Sequence, residues 1–135
     1  MAGYSKRSLL DKLGIKSGQK IYFANAPKEY AKTLGPLPKD IVVLKSLTGP
    51  CDFIQCFTQE RAELESSFPA LKKHLASDGL LWISWPKGAS KTKTDVTENV
   101  AREIGLKNGL VDVKVCAVDD VWSGLKFVFR LKDRK

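Results

Sequence analysis

A chain of 135 residues with 43% hydrophobic and 28% charged side chains has the size and balance of a single folded domain spanning residues 1–135. It holds no apolar run near the ~18 residues a membrane span needs, and its opening residues lack the apolar stretch of a secretory leader, so no membrane association and a cytoplasmic location are expected. The net charge of +8 reads first as a solvated basic surface and second as a draw for an anionic partner; a partner, if there is one, is an anionic small molecule or a protein, and nucleic acid is not expected, because aromatic residues are not interleaved with the basic ones.

Cys51, Cys56 and Cys116 are odd in number and match no paired ligand spacing, so buried reduced thiols are expected. The only histidine, His74, follows Lys72-Lys73 with no second ligand near it, and no metal site is expected.

Residues 5–13 read as a short helix capped by Ser5 and ended by Gly14. Residues 20–25 read as a first strand. A helix over residues 27–34 follows, Pro27 suiting its first turn. Residues 41–44 are a β-branched second strand, and residues 51–57 a third. Leu64, Phe68, Leu71 and Leu75 recur at helical spacing within residues 60–75. Pro69 predicts a kink or restart inside that helix, and Asp78-Gly79 closes it. Residues 80–85 are apolar apart from Ser84, which suits a strand buried on both faces. After a polar loop over residues 86–94, Asp95 and Glu98 form a capping box for a helix to about residue 108. Residues 111–118 alternate, with Val111, Val113, Val115 and Ala117 on one face. Ser123-Gly124 reads as a turn, and residues 125–131 as a last strand pairing antiparallel with the one before. Strands alternating with helices imply an α/β fold built on a mostly parallel, Rossmann-like sheet of roughly six strands with an antiparallel C-terminal hairpin.

Cys51-Asp52-Phe53-Ile54-Gln55, followed by a long helix and then by Leu75-Ala76-Ser77-Asp78-Gly79-Leu80-Leu81-Trp82-Ile83, resembles the middle of a class I SAM-dependent methyltransferase. That family has an F-D-apolar-apolar strand, a long helix, and an L-x-x-G-G-x-L lead into the next strand. The resemblance implies the family's layout over residues 20–131, with one helix–strand unit missing between the second and third strands. The whole chain also resembles a bacterial family of unknown function whose members share LGI-x-x-G, LGPLP, WISWPK and VDVK-VCAVD-x-VWSGLK, a resemblance that implies no activity.

Two features depart from the methyltransferase pattern. There the first strand enters a glycine-rich turn that lets the backbone approach the cofactor. Here the turn is Phe23-Ala24-Asn25-Ala26-Pro27, without glycine. The family also ends its second strand in an acid that binds ribose hydroxyls, whereas this one ends Leu44-Lys45-Ser46. The expectation is that no cofactor is held, SAM included.

Ligands on open parallel sheets bind beyond the carboxyl ends of the strands. Residues 24–27, 58–61 and 85–94 converge there, which makes Asn25, Thr58, Arg61 and Trp85 candidates. The last segment carries three lysines, three hydroxyls and no acid, and leads towards a helix start where free N–H groups favour an anion. Lys87, Ser90, Lys91, Lys93 and Thr94 are the anion-binding candidates; the spacing is not a Walker motif, and a merely soluble loop is the plain alternative. Asp119-Asp120 reads as a turn, no G-x-S-x-G is present, and catalytic residues stay unassigned. The expected function is a non-catalytic methyltransferase-like domain that binds a protein or an anionic ligand. The alternative is a degenerate SAM-dependent methyltransferase, or another transferase acting on a phosphorylated substrate.

Overall fold

The computed structural model describes residues 8–134. Its strands are β1 (Lys20–Ala24), β2 (Val42–Leu44), β3 (Cys51–Phe57), β4 (Leu75–Pro86), β5 (Leu110–Ala117) and β6 (Trp122–Phe129). They form one sheet in the order β2-β1-β3-β4-β6-β5. β1 pairs in parallel with β2 and β3, and β3 with β4, while β6 runs antiparallel to both β4 and β5. This is the expected α/β sheet with its C-terminal hairpin.

Helices α1 (Leu9–Leu13) and α2 (Tyr30–Leu34) cover one face, and α3 (Arg61–Lys73) and α4 (Glu98–Lys107) the other. On the first face Leu13, Tyr30 and Leu34 pack with Phe53, Phe57 and Trp82. On the second, Leu64, Phe68, Leu71 and Ile104 pack with Ile54, Cys56, Leu81, Ile83 and Phe127. β3 and the second half of β4 are therefore buried on both faces, which is why residues 53–57 and 80–85 are apolar apart from Gln55 and Ser84. All three cysteines are buried and free. No helix among the described residues is long and apolar enough to cross a membrane.

Local differences from the sequence reading have physical causes. Ser8 caps α1, its hydroxyl accepting the Asp11 N–H at 3.2 Å; the expected cap, Ser5, lies outside the described residues. α3 runs unbroken through Pro69. Pro69 and Glu65 lie on its exposed side, where the carbonyl that proline leaves unpaired can turn to water. α3 ends at Lys73, before Asp78-Gly79, and Cys51 N–H donates to the His74 carbonyl at 2.7 Å. That bond draws the chain into β4 early, with a register shift between Cys51 and Phe53. Gly79 lies against this irregularity, where a Cβ would stand 3.0 Å from the Cys51 carbonyl oxygen.

Asp95 does not cap α4. Its carboxylate accepts the Arg61 N–H at 2.6 Å, at the start of α3, and the Thr97 hydroxyl caps α4 by accepting the Val100 N–H at 3.2 Å. The hairpin turns at Asp119, whose Oδ1 accepts the N–H groups of Val121 and Trp122, both at 2.8 Å. Ser123 and Gly124 are strand residues opposite Trp85 and Ser84. Gly124 makes room for Trp82, since a Cβ there would stand 3.0 Å from its ring. Val113 and Val115 are 53% and 47% exposed. β5 is an edge strand with a register shift beside Val113, so its apolar alternation does not mark a buried face.

Candidate functional site

The parallel strands β1, β3 and β4 end along one edge of the sheet, and β6 starts there. A cleft of about 430 Å³ opens between these ends, lined by Asn25, Pro27, Thr58, Glu60, Glu63 and Trp122, with Phe57 at its wall. Its size falls within the roughly 300–1,000 Å³ of small-ligand pockets.

Each wall follows from a local feature of the chain. Asn25 leaves β1 with φ 58°, in the left-handed region that asparagine tolerates better than most side chains. Its Nδ2 reaches the Phe57 carbonyl at 3.5 Å, linking the ends of β1 and β3. Thr58 N–H continues the β3–β4 ladder by donating to the Ser84 carbonyl at 2.9 Å, and its hydroxyl donates to the Glu60 carbonyl at 3.2 Å. The Trp122 ring meets Phe57 edge-on, with centroids 5.1 Å apart. Carboxylates at Glu60 and Glu63 beside an aromatic wall suit a ligand that carries a cation and a planar group.

A second groove of about 420 Å³ shares Gln59 and Glu60 with the cleft and adds Lys93, Thr94 and Asp95. Here the anion candidates divide. Ser90 hydroxyl donates to the Lys87 carbonyl at 2.6 Å and accepts the Thr92 N–H at 3.3 Å. Thr94 hydroxyl donates to the Gln59 carbonyl at 2.7 Å and accepts the Val96 N–H at 3.0 Å. Both hydroxyls fasten the loop. The helix start expected to seat an anion is taken, with Thr97 capping α4 and Asp95 serving α3.

Asn25 and Thr58 meet in the cleft. Arg61 does not line it: its guanidinium pairs with Glu103 at 2.8 Å and Glu65 at 3.5 Å, and the Glu103 hydrogen bond chiefly holds its pKa above the ordinary value. Trp85 is buried on the α3–α4 face. Glu60 falls inside the expected segment 58–61 without being singled out there, whereas Glu63 and the wall formed by Phe57 lie outside it; the signal available was the edge rule itself, applied to every residue around the end of β3. A cavity of about 440 Å³ near the starts of β1 and β3 mixes Lys12, Lys16 and Lys114 with Asp11, Asp52 and Asp78. It opens at the opposite edge from the one where parallel sheets bind ligands.

A buried polar chain supports the cleft from below. Tyr30 hydroxyl donates to Gln55 Oε1 at 2.7 Å, and Gln55 Nε2 donates to Ser84 Oγ at 3.1 Å. Burial drives the Tyr30 phenol pKa well above its ordinary value, and the Gln55 bond opposes that in part. Tyr30→Phe leaves the Gln55 oxygen buried without a donor, and a loss of about 1–3 kcal/mol is expected. Urea denaturation checks this; an unchanged midpoint would mean the chain adds no stability.

No protein-family model and no curated protein sequence matches the chain. Solved structures do match it in fold. A SAM-dependent methyltransferase from Aquifex aeolicus superposes with a TM-score of 0.62 at 17% identity, over 88% of this chain and 86% of that one. Precorrin-6y C5,15-methyltransferase from Geobacter metallireducens GS-15 gives 0.61 at 11% identity, over 90% and 86%. Magnesium protoporphyrin IX methyltransferase from Synechocystis PCC 6803, solved with SAM bound, gives 0.58 at 12% identity, over 90% and 74%. The fold is that of the SAM-dependent methyltransferases.

These neighbours correct the expectation that no cofactor belongs here, since the Synechocystis enzyme was solved both with SAM and with SAH. The physical reason lies at Asn25. The turn without glycine implied that the backbone could not approach a cofactor closely, yet it adopts at Asn25 the left-handed conformation that glycine usually supplies.

Proposed function

We propose that the chain is a SAM-binding domain of the methyltransferase class, a degenerate methyltransferase that holds SAM in the cleft between the ends of β1 and β3. The observation that carries this is the left-handed turn at Asn25 opening onto a cleft of about 430 Å³. The residues present suit the ligand: Glu60 and Glu63 offset its positive charge, Phe57 and Trp122 supply an apolar wall, and Asn25 and Thr58 shape the floor. When bound, SAM supplies an electrophilic methyl group. Leu44-Lys45-Ser46 offers no ribose-binding acid, so the carboxylates available to the ligand in this cleft are Glu60 and Glu63.

This reading takes the place of the expected non-catalytic role, because methyltransferases are what the fold matches. Resemblance to a bacterial family of unknown function adds no activity to it. A cytosolic setting belongs to the proposal, since buried free thiols suit a reducing compartment.

Calorimetric titration with SAM and SAH tests the reading. Single-site binding at micromolar strength is expected, weakened about tenfold in Asn25→Val, because a β-branched side chain in the left-handed region costs ~1–2 kcal/mol. No heat at millimolar ligand would overturn the reading. Unchanged affinity in Asn25→Val would move the cofactor away from the β1 turn.

A further inference from the structure

The lysine loop after β4 adjoins the proposed SAM cleft without being needed to form it. Residues 86–94 carry Lys87, Lys91 and Lys93 and no carboxylate. Among the described residues none of the three ammonium groups has an ion pair, whereas Lys32, Arg61, Arg102 and Arg130 all do. Like charges carried on one short loop repel one another, and a bound anion relieves that repulsion.

The loop is also held in place. At its start the Lys87 N–H donates to the Val121 carbonyl at 2.7 Å, next to Trp122 of the cleft wall. At its end Thr94 bonds to the Gln59 carbonyl, and Gln59 lines both cleft and groove. Ser90 ties the middle, and Lys91 turns the backbone at φ 62°, in the left-handed region that L side chains rarely adopt. The backbone that carries the three lysines is thus held between two anchor points on the cleft. With Ser90 and Thr94 spent on the loop, recognition falls to the ammonium groups, and lysine binds phosphate as a point charge. Of the groove's two acids, Glu60 and Asp95, the latter accepts the Arg61 N–H at 2.6 Å. Carboxylates line both hollows, Glu60 and Glu63 the cleft and Glu60 and Asp95 the groove beside Lys93, while lysines are the only charged residues of the loop itself.

We propose that Lys87, Lys91 and Lys93 form a subsite for a phosphate-bearing ligand, which, resting on the proposed function, is the methyl acceptor. The subsite itself needs no SAM, so the two readings can fail separately.

The test uses the full chain and tripolyphosphate as probe, followed by calorimetry with and without SAH. The triple variant K87A/K91A/K93A is expected to bind tripolyphosphate at least tenfold more weakly, with SAH affinity and Tm unchanged. Exposed Lys16, Lys39 and Lys107, changed together to alanine, are expected to leave both affinities near wild type. Equal loss in the two triple variants, or no tripolyphosphate binding by the wild type, would overturn the subsite. Tripolyphosphate binding without SAH binding would keep the subsite and sink the SAM reading. A short oligouridylate separates the sources of phosphate. Tighter binding than tripolyphosphate, falling steeply with salt, assigns the subsite to a polymer, and weaker binding assigns it to a small phosphorylated molecule.

Discussion

Trp82→Ala is expected to cost about 3–5 kcal/mol of folding stability, because it combines a large cavity with an orphaned carbonyl. Trp82 is fully buried in the middle of β4, opposite Gln55 of β3 and Lys126 of β6. Its indole N–H donates to the Leu13 carbonyl at 2.8 Å, at the end of α1. Its ring fills the space that Gly124 leaves open on β6. Truncation therefore removes packing on two neighbouring strands and undocks α1 together. Trp82→Phe keeps most of the buried area and loses the hydrogen bond, so a smaller loss of about 1–2 kcal/mol is expected. Urea unfolding of both variants measures the difference. A loss below about 1 kcal/mol in Trp82→Ala would mean that α1 is held elsewhere, because truncating a buried aromatic alone costs more than that.

The same residues show what a sequence can and cannot carry. β3 and β4 were legible because burial on both faces leaves residues 53–57 and 80–85 apolar apart from Gln55 and Ser84, a pattern that suits a doubly covered strand. Gly124 was misread as a turn residue. Its role is to accommodate a ring from 42 positions earlier, and nothing local announces that. Asp95 was assigned to the nearer helix on spacing, whereas in space the start of α3 lies within its reach. The chain Tyr30–Gln55–Ser84 joins residues 25 and 29 positions apart, beyond any periodicity. The cleft was half legible. The edge rule named Asn25 and Thr58 on topology alone, and both line the cleft, but the shape of the Asn25 turn is a backbone property that composition does not report. Counting glycines could not find it, because asparagine can occupy the same conformation.

Alkaline pH is expected to remove on the order of 4 kcal/mol of stability through Cys56 alone. This thiol sits on β3 within the α3–α4 core, opposite Ala24 and Ile83. Burial, and secondarily the charge of Glu63, push its pKa from 9.0 to about 12. In the unfolded chain the thiol releases its proton near pH 9, whereas in the folded protein it keeps it until about pH 12. Across that window the folded state binds the extra proton, so its contribution is complete below pH 9 and is lost as pH rises towards 12. The slope approaches ~1.4 kcal/mol per pH unit for this one group. Tyr30 acts in the same direction, since its own pKa is raised chiefly by burial. Cys56→Ala removes the Cys56 share and leaves that of Tyr30, so its stability should fall with a shallower slope above pH 9. At neutral pH the variant is expected to lose only about 1 kcal/mol, for the lost sulfur contacts. Urea midpoints measured from pH 8 to pH 11 for both proteins decide the matter. Parallel curves would mean that Cys56 titrates as freely in the folded protein as in the unfolded chain, and that water reaches a thiol that is only 2% exposed.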